Sequence, residues 1–151
     1  MRRPTRIAAL AVATGVLAGA LAGPTPASAA HNDSFEAWST PCDSPWRDPA
    51  GVTRFVDYGP GAPGGGNNDD YIEIADQCRD GHGVRGYVWL NGVYLGSRYN
   101  GNGVNTRVIW DPFGNLPAGS RVGLRVCLVD GADDTTPFGC SNLISNTLVD
   151  G

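Results

Sequence analysis

The stretch Val84–Tyr99, with the sequence VRGYVWLNGVYLGSRY, decides the fold of this chain. Two runs of residues that favour β-strands, Val84–Leu90 and Val93–Tyr99, flank the dipeptide Asn91–Gly92. A type I′ turn needs a positive φ at both central residues, and Asn-Gly is the pair that supplies it most readily. The stretch therefore predicts two antiparallel strands joined by a two-residue turn.

A two-residue turn also predicts the register of the hairpin. The expected cross-strand pairs are Leu90 with Val93, Trp89 with Tyr94, Val88 with Leu95, Tyr87 with Gly96, and Arg85 with Arg98. Because side chains alternate along a strand, the hairpin has two faces. The aliphatic face carries Val84, Val88, Leu90, Val93 and Leu95. The opposite face carries Arg85, Tyr87, Trp89, Tyr94 and Arg98.

Further runs of alternating or β-branched residues predict strands elsewhere in the chain. They are Thr53–Tyr58, Asp70–Asp76, Arg107–Trp110, Val122–Val129 and Asn142–Val149. Turns rich in Gly, Pro, Asn and Asp separate these runs, and Gly59–Asn68 is predicted to be a loop. About seven short strands without an amphipathic helix indicate an all-β protein. We expect an antiparallel β-sandwich that forms a single domain over residues 51–151.

Residues 31–50 leave two interpretations open. They contain either a strand preceded by a tail or an N-terminal arm that wraps the domain and is pinned by Cys42, with Phe35, Trp38 and Trp46 as apolar anchors. We assign them as an arm and keep the strand as the alternative.

The first thirty residues have the pattern of a secretory signal peptide. Arg2, Arg3 and Arg6 precede an apolar stretch, and Ala27–Ser28–Ala29 provides the small residues of a cleavage site. An N-terminal membrane anchor is the alternative, but glycines interrupt the apolar stretch, which is shorter than the ~20 residues of a spanning helix. We therefore expect removal of residues 1–30 and a secreted, extracellular protein.

The charge of the remaining 121 residues restricts the class of partner. Eight arginines oppose fifteen acidic residues, which gives a net charge of −7, and the chain has no lysine. Phosphate backbones and anionic membranes repel such a protein. We therefore expect no nucleic-acid partner and no membrane partner after signal removal. We also expect no cofactor and a monomeric state.

The four cysteines, Cys42, Cys78, Cys127 and Cys140, predict two disulfides. An even number of cysteines in a small exported domain is typical of a disulfide framework, whereas no pair has the spacing of a zinc site. Three connectivities are possible. We expect Cys42–Cys78 and Cys127–Cys140, because sequential loops fit a chain of short antiparallel strands. In Val122–Val129 the aliphatic residues alternate with Cys127, which should therefore lie on the less buried side.

Two features carry a resemblance to known proteins. A composition rich in Gly and Ala, with arginine as its only basic residue after the signal, resembles small exported actinobacterial proteins. Residues Pro117–Cys140, PAGSRVGLRVCLVDGADDTTPFGC, are similar to the closing hairpin of immunoglobulin-like and fibronectin-like sandwiches. The resemblance implies an immunoglobulin-like sandwich and carries no activity.

The best candidate site is the aromatic side of the hairpin. Tyr87, Trp89 and Tyr94, flanked by Arg85 and Arg98, would form a flat platform for a sugar, whose C–H faces stack on rings and whose hydroxyls bind arginine. Aromatic residues are also simply common in strands, and a second layer could cover them. The sequence alone favours this structural interpretation.

Other candidates are weaker. The acidic stretches Asn67–Asp70 and Asp130–Asp134 offer oxygen ligands for calcium, but lack the spacing of a calcium loop and are typical of solvated turns. His82 lies near Asp80 between glycines, which favours a turn. Glu36 and Glu73 are the only glutamates, and nothing predicts either one opposite an aspartate.

Three functions follow, in order of preference. The first is a non-catalytic module that binds an extracellular glycan or cell-wall ligand. The second is a protein-interaction domain, such as a secreted protease inhibitor or a surface structural protein, that presents the loop between Cys127 and Cys140. A small hydrolase comes last, because the chain contains no recognisable catalytic motif.

Overall fold

The computed structural model describes residues 31–43, 48–57 and 70–149. The expected signal peptide, the expected loop Gly59–Asn68 and the anchor Trp46 lie outside these ranges. Within them, the chain has no helix of the length and apolar character that a membrane crossing requires.

The described part of the chain contains eight strands and no helix. They are β1 (Phe35–Trp38), β2 (Gly51–Val56), β3 (Tyr71–Asp76), β4 (Gly83–Leu90), β5 (Val93–Asn100), β6 (Thr106–Trp110), β7 (Arg121–Val129) and β8 (Ile144–Thr147). The strands predicted from the sequence are present. β1 lies in residues 31–50, which were assigned as an arm with a strand as the alternative.

The strands form two four-stranded sheets. The first sheet has the order β1-β2-β3-β6 and the second has the order β5-β4-β7-β8. All neighbouring strands are antiparallel. The predicted all-β antiparallel sandwich is therefore confirmed.

The strand order can be compared with that of an immunoglobulin domain, and the immunoglobulin-like assignment itself stays a prediction. Immunoglobulin sheets have the orders ABED and CFG, in which the third, sixth and seventh strands are neighbours. In the second sheet β4, β7 and β8 stand in the corresponding order. With β2 counted as the first strand in both sheets, β2, β3 and β6 of the first sheet stand in the order of strands A, B and E, and β1 is an additional strand beside β2.

The core lies between the two sheets. On β7 the residues Val122, Leu124 and Val126 are fully buried, as their alternation predicts, and they pack with Phe55 and Ile72 of the first sheet in one hydrophobic cluster. Each sheet thus contributes one apolar face, which is the usual basis of a sandwich.

Both expected disulfides are confirmed. Cys42 is bonded to Cys78 and Cys127 to Cys140, with Cα atoms 5.8 Å and 4.0 Å apart. Cys42 follows β1 and Cys78 follows β3, so this bond connects two strand ends of the first sheet. The second bond joins β7 to the segment that precedes β8.

Cys127 lies on the expected outer side of β7, but it is buried there. Cys127 alternates with the core residues of β7 and so lies on the outer face, yet only 1% of it is exposed. The chain after β7 folds back over it: Cys140 is bonded to its sulfur, and Leu128 and Phe138 exchange two backbone hydrogen bonds of 2.9 and 3.0 Å. A segment without regular structure thus buries part of the outer face.

The turn of the central hairpin is confirmed, but its register is only partly so. Asn91 and Gly92 have φ of 51° and 83°, as a type I′ turn requires. Leu90 lies opposite Val93 and Trp89 lies opposite Tyr94, as expected.

Beyond these two pairs the expected register is wrong by one residue. An irregularity between Val88 and Trp89 leaves Leu95 without an opposite residue, and Gly96, with φ of 138°, lies opposite Val88. One extra residue in a strand moves every later side chain to the other face. Arg98 is consequently opposite Gly86 instead of Arg85.

Two glycines on the inner faces let the sheets approach closely. A Cβ atom at Gly86 of β4 would lie 2.5 Å from Thr53 Oγ1 and 2.7 Å from Ile74 Cγ1. A Cβ atom at Gly51 of β2 would lie 2.7 Å from both γ-carbons of Val84. A residue of each sheet therefore fills the space that a glycine of the other leaves free.

Gly86→Ala should destabilise the protein by about 1–3 kcal/mol, because the methyl group overpacks the interface between the sheets. Gly114→Ala is the matched control, since no atom lies within 4 Å of a Cβ atom there. Its effect should stay within about 0.5 kcal/mol. Urea denaturation measures both, and equal stability of the two variants would contradict the close approach at Gly86.

Candidate functional site

The aromatic residues of the predicted site lie together on the outer face of the second sheet. Tyr87 and Trp89 alternate with the core residues of β4, and Tyr94 lies opposite Trp89 on β5. Tyr94 is 51% exposed, while Tyr87 and Trp89 are half-buried. These rings are accessible at the surface of the described chain.

The rings of Trp89 and Tyr94 do not form the expected flat platform. Their centroids are 5.1 Å apart and their planes are inclined by 48°. Because the two rings are not coplanar, a flat ligand can stack on only one of them at a time. The two rings therefore form an angled surface.

The structure does not place the two expected arginines beside these rings as ligand-binding groups. The Arg85 guanidinium donates hydrogen bonds of 3.1, 2.5 and 2.8 Å to the carbonyl oxygens of Gly131, Ala132 and Asp134. It therefore holds the loop after β7. Arg98 lies on the opposite face of the sheet, because the bulge in β5 shifts it, and Tyr99 occupies the position opposite Arg85.

A groove beside Trp89 was missed by the sequence analysis. It has a volume of about 330 Å³ and is lined by Trp89, Asn91, Gly92, Arg121, Gly123, Leu143 and Ser145. A Cβ atom at Gly123 would lie 3.3 Å from Trp89 Cβ and 3.5 Å from Leu143 Cδ1. The absence of a side chain at Gly123 therefore leaves space between the apolar side chains of Trp89 and Leu143. Leu143 is 55% exposed.

Arg121 supplies the charge of this groove. Its Nε and Nη2 donate hydrogen bonds of 3.0 and 2.7 Å to Ser145 Oγ, which fixes the guanidinium along the groove. Its backbone amide donates to Asn91 Oδ1 at 2.9 Å. A guanidinium has five N–H donors, so part of this set remains for a ligand after the bonds to Ser145.

The loop between Cys127 and Cys140 is held by its own hydrogen bonds. Asp134 accepts bonds from the backbone amides of Asp130 and Thr136, at 2.9 and 2.7 Å, and from the Thr136 hydroxyl at 2.7 Å. These bonds, with the backbone amide of Asp130 first, lower the pKa of Asp134 to about 2. The loop therefore has a defined conformation at neutral pH.

The weaker candidates have structural roles. In the described ranges no group of three or more His, Cys, Asp or Glu residues is placed to hold a metal ion. Asp80 accepts the backbone amide of His82 at 2.9 Å, as a turn residue does, whereas the His82 ring bonds to Asp130 at 2.6 Å. Asn67–Asp69 lie outside the described residues.

The two glutamates are held by arginine. Arg54 bonds to Glu36 and, at 3.1 Å, to Glu73, all on the outer face of the first sheet. Arg107 lies 3.6 Å from Glu73. These carboxylates thus form a surface ion-pair network.

Comparison of the chain with protein-family models, with curated proteins and with solved structures finds no match. The site is therefore interpreted from its own geometry.

Asp134→Asn should remove a pH-dependent contribution to stability. Because the pKa of Asp134 is lowered from 3.8 to about 2, its ionised form stabilises the fold above pH ~4, and this is lost as the pH falls through about 2. The difference in Tm between wild type and variant should shrink over that range. Asp133→Asn, at the exposed neighbouring residue, is the control and should show no such trend. A constant difference would contradict the assignment.

Proposed function

We propose that this protein is a non-catalytic, extracellular binding module whose ligand is a glycan held in the groove beside Trp89. The observation that carries the proposal is the combination of an aromatic wall, an apolar wall at Leu143 and the fixed guanidinium of Arg121 in one groove. Sugars present both apolar C–H faces and hydroxyls, so they need both kinds of surface.

The extracellular setting is supported by the two disulfides. Such bonds indicate an oxidising environment, since thiols stay reduced in the cytosol. The basic, apolar and small-residue pattern of residues 1–30 supports export by a signal peptide. The order of β4, β7 and β8 supports an immunoglobulin-like relationship for this half of the sandwich.

The form of the groove favours a single polysaccharide chain over a flat insoluble surface. The 48° inclination between Trp89 and Tyr94 leaves no plane that both rings share. A chain that passes through the groove would stack one sugar on Trp89 and place its hydroxyls beside Arg121 and Ser145. The proposed ligand class is therefore a soluble segment of an extracellular or cell-wall glycan.

Trp89→Ala should weaken glycan binding by about tenfold or more, since it removes the stacking surface. Retention on insoluble polysaccharides and titration with soluble oligosaccharides measure the effect. Trp38→Ala is the matched control, because Trp38 is 60% exposed and belongs to the first sheet. If the wild type binds no soluble oligosaccharide and no polysaccharide, or if both variants lose binding equally, the proposal is wrong.

The second candidate is a protein-interaction domain. It is favoured by the loop between Cys127 and Cys140, which is fixed by a disulfide, by Arg85 and by Asp134, and which exposes Phe138. A preorganised loop loses little conformational entropy when it binds.

A panel of secreted serine proteases tests this second candidate. The wild type should inhibit at least one protease, and Phe138→Ala should weaken the inhibition, while Trp38→Ala should leave it unchanged. Full activity of every protease in the presence of the wild type would count against the candidate.

A further inference from the structure

A second cavity lies at the other end of β4, beside Gly83. It has a volume of about 390 Å³, and its lining includes Asp76, Arg79, His82, Gly83, Tyr99 and Gly101. Gly83 and Trp89 are about 20 Å apart, because successive residues of a strand are spaced by ~3.3 Å. This cavity, called the end pocket below, is thus separate from the groove beside Trp89.

Asp76 places a buried carboxyl group in the end pocket. It alternates with Ile72 and Ile74 of β3, so its side chain points between the sheets, and only 2% of the residue is exposed. Within the described ranges, its carboxyl accepts a hydrogen bond from the Cys78 amide at 3.1 Å.

The charge of Asp76 has no counter-ion among the described residues. Burial raises the pKa of its carboxyl, and the nearby charge of Asp80 adds to the effect, while only the Cys78 amide lowers it. A buried charge without a partner is costly, so a cation in the pocket would be favoured.

The remaining walls are suited to a small carbon skeleton. Cβ atoms at Gly83 and Gly101 would lie 2.4 and 2.3 Å from side-chain atoms of Tyr99. The Tyr99 side chain therefore packs directly against the backbone of these two glycines. The ring thus supplies apolar surface to the lining of the end pocket, to which Asp76 also belongs.

The other charged groups at the end pocket do not oppose a cation strongly. Arg79 is exposed, so solvent and salt screen its charge. His82 is bonded to Asp130, and Asp80 adds another negative charge nearby. The pocket therefore has an acidic interior.

We propose that the end pocket binds a small ligand with a primary ammonium group, which donates hydrogen bonds to Asp76 while its carbon skeleton packs against Tyr99. An ammonium group both neutralises the buried carboxylate and donates to it, whereas a hydroxyl only donates. The volume accommodates a single sugar ring or an amino-acid side chain. An amino sugar and a lysine-like amine share this chemistry.

Two-dimensional 15N–1H spectra of the wild type test the proposal. The reporters are the amides of Gly81, Gly83, Gly101 and Gly103, which line the end pocket. The probes are glucosamine and Nα-acetyl-lysine methylamide, and their N-acetylated counterparts are the matched controls. The amines should shift these signals at millimolar concentrations, and the acetylated forms should not. The relative affinities of the two amines distinguish the amino-sugar from the lysine-like source.

The variant Asp76→Asn should weaken amine binding by about tenfold or more, because it removes the charge with little change of shape. Asp133→Asn, at an exposed position outside the pocket, should bind as the wild type does. If Asp76→Asn fails to fold, the comparison of each amine with its acetylated form still decides the matter in the wild type.

Three results would overturn the proposal: no shift with either amine, equal shifts with the acetylated forms, or unchanged binding in folded Asp76→Asn. The amides of Gly92 and Gly123 report separately on the groove beside Trp89. Shifts confined to those two would support the glycan groove and reject the end pocket, so the two proposals fail independently.

Discussion

The packing of β4 against β2 is the constraint on which the rest of the structure depends. Thr53 fills the space above Gly86, and Val84 fills the space above Gly51, so each sheet fixes the position of the other. The inner face of β4 is thereby held against the first sheet at Val84 and Gly86. Its outer face then carries Trp89 at one end, and Gly83 lines the end pocket at the other. Two candidate sites of different chemistry thus share one rigid strand, as precise binding sites generally require.

Features that depend on neighbours in the sequence were predicted well. Asn91–Gly92 specified the turn because its backbone preference is local. The alternation of Val122–Val129 identified the core face of β7, since a period of two has only two possible phases. The pairings Cys42–Cys78 and Cys127–Cys140 followed from the expectation that sequential loops fit a chain of short antiparallel strands.

Features that depend on distant parts of the chain were missed. The pairing of β4 with β7 brings Gly123 opposite Trp89. Arg121 lies two residues before Gly123 on the same face of β7 and therefore also lines the groove. No local sequence pattern reveals which strands are neighbours. The bulge at Leu95 could not be read from alternation, although Gly96 was a hint, since an isolated glycine in a strand often marks one. Cys127 is buried by a segment whose path depends on Arg85, a contact across 46 to 49 residues.

The two ends of the described chain meet: the Val149 amide donates a hydrogen bond of 2.5 Å to the buried carboxylate of Asp33. This junction lies at the same end of the sandwich as the Asn91–Gly92 turn, because β8 ends opposite Arg121. The end pocket lies at the opposite end of the sandwich, beside Gly83 at the start of β4. A polypeptide, a surface or a matrix attached near residue 33 or residue 149 would therefore lie at the end of the sandwich away from that pocket. A short linker between residues 149 and 33 would close the domain into a ring without distorting a strand.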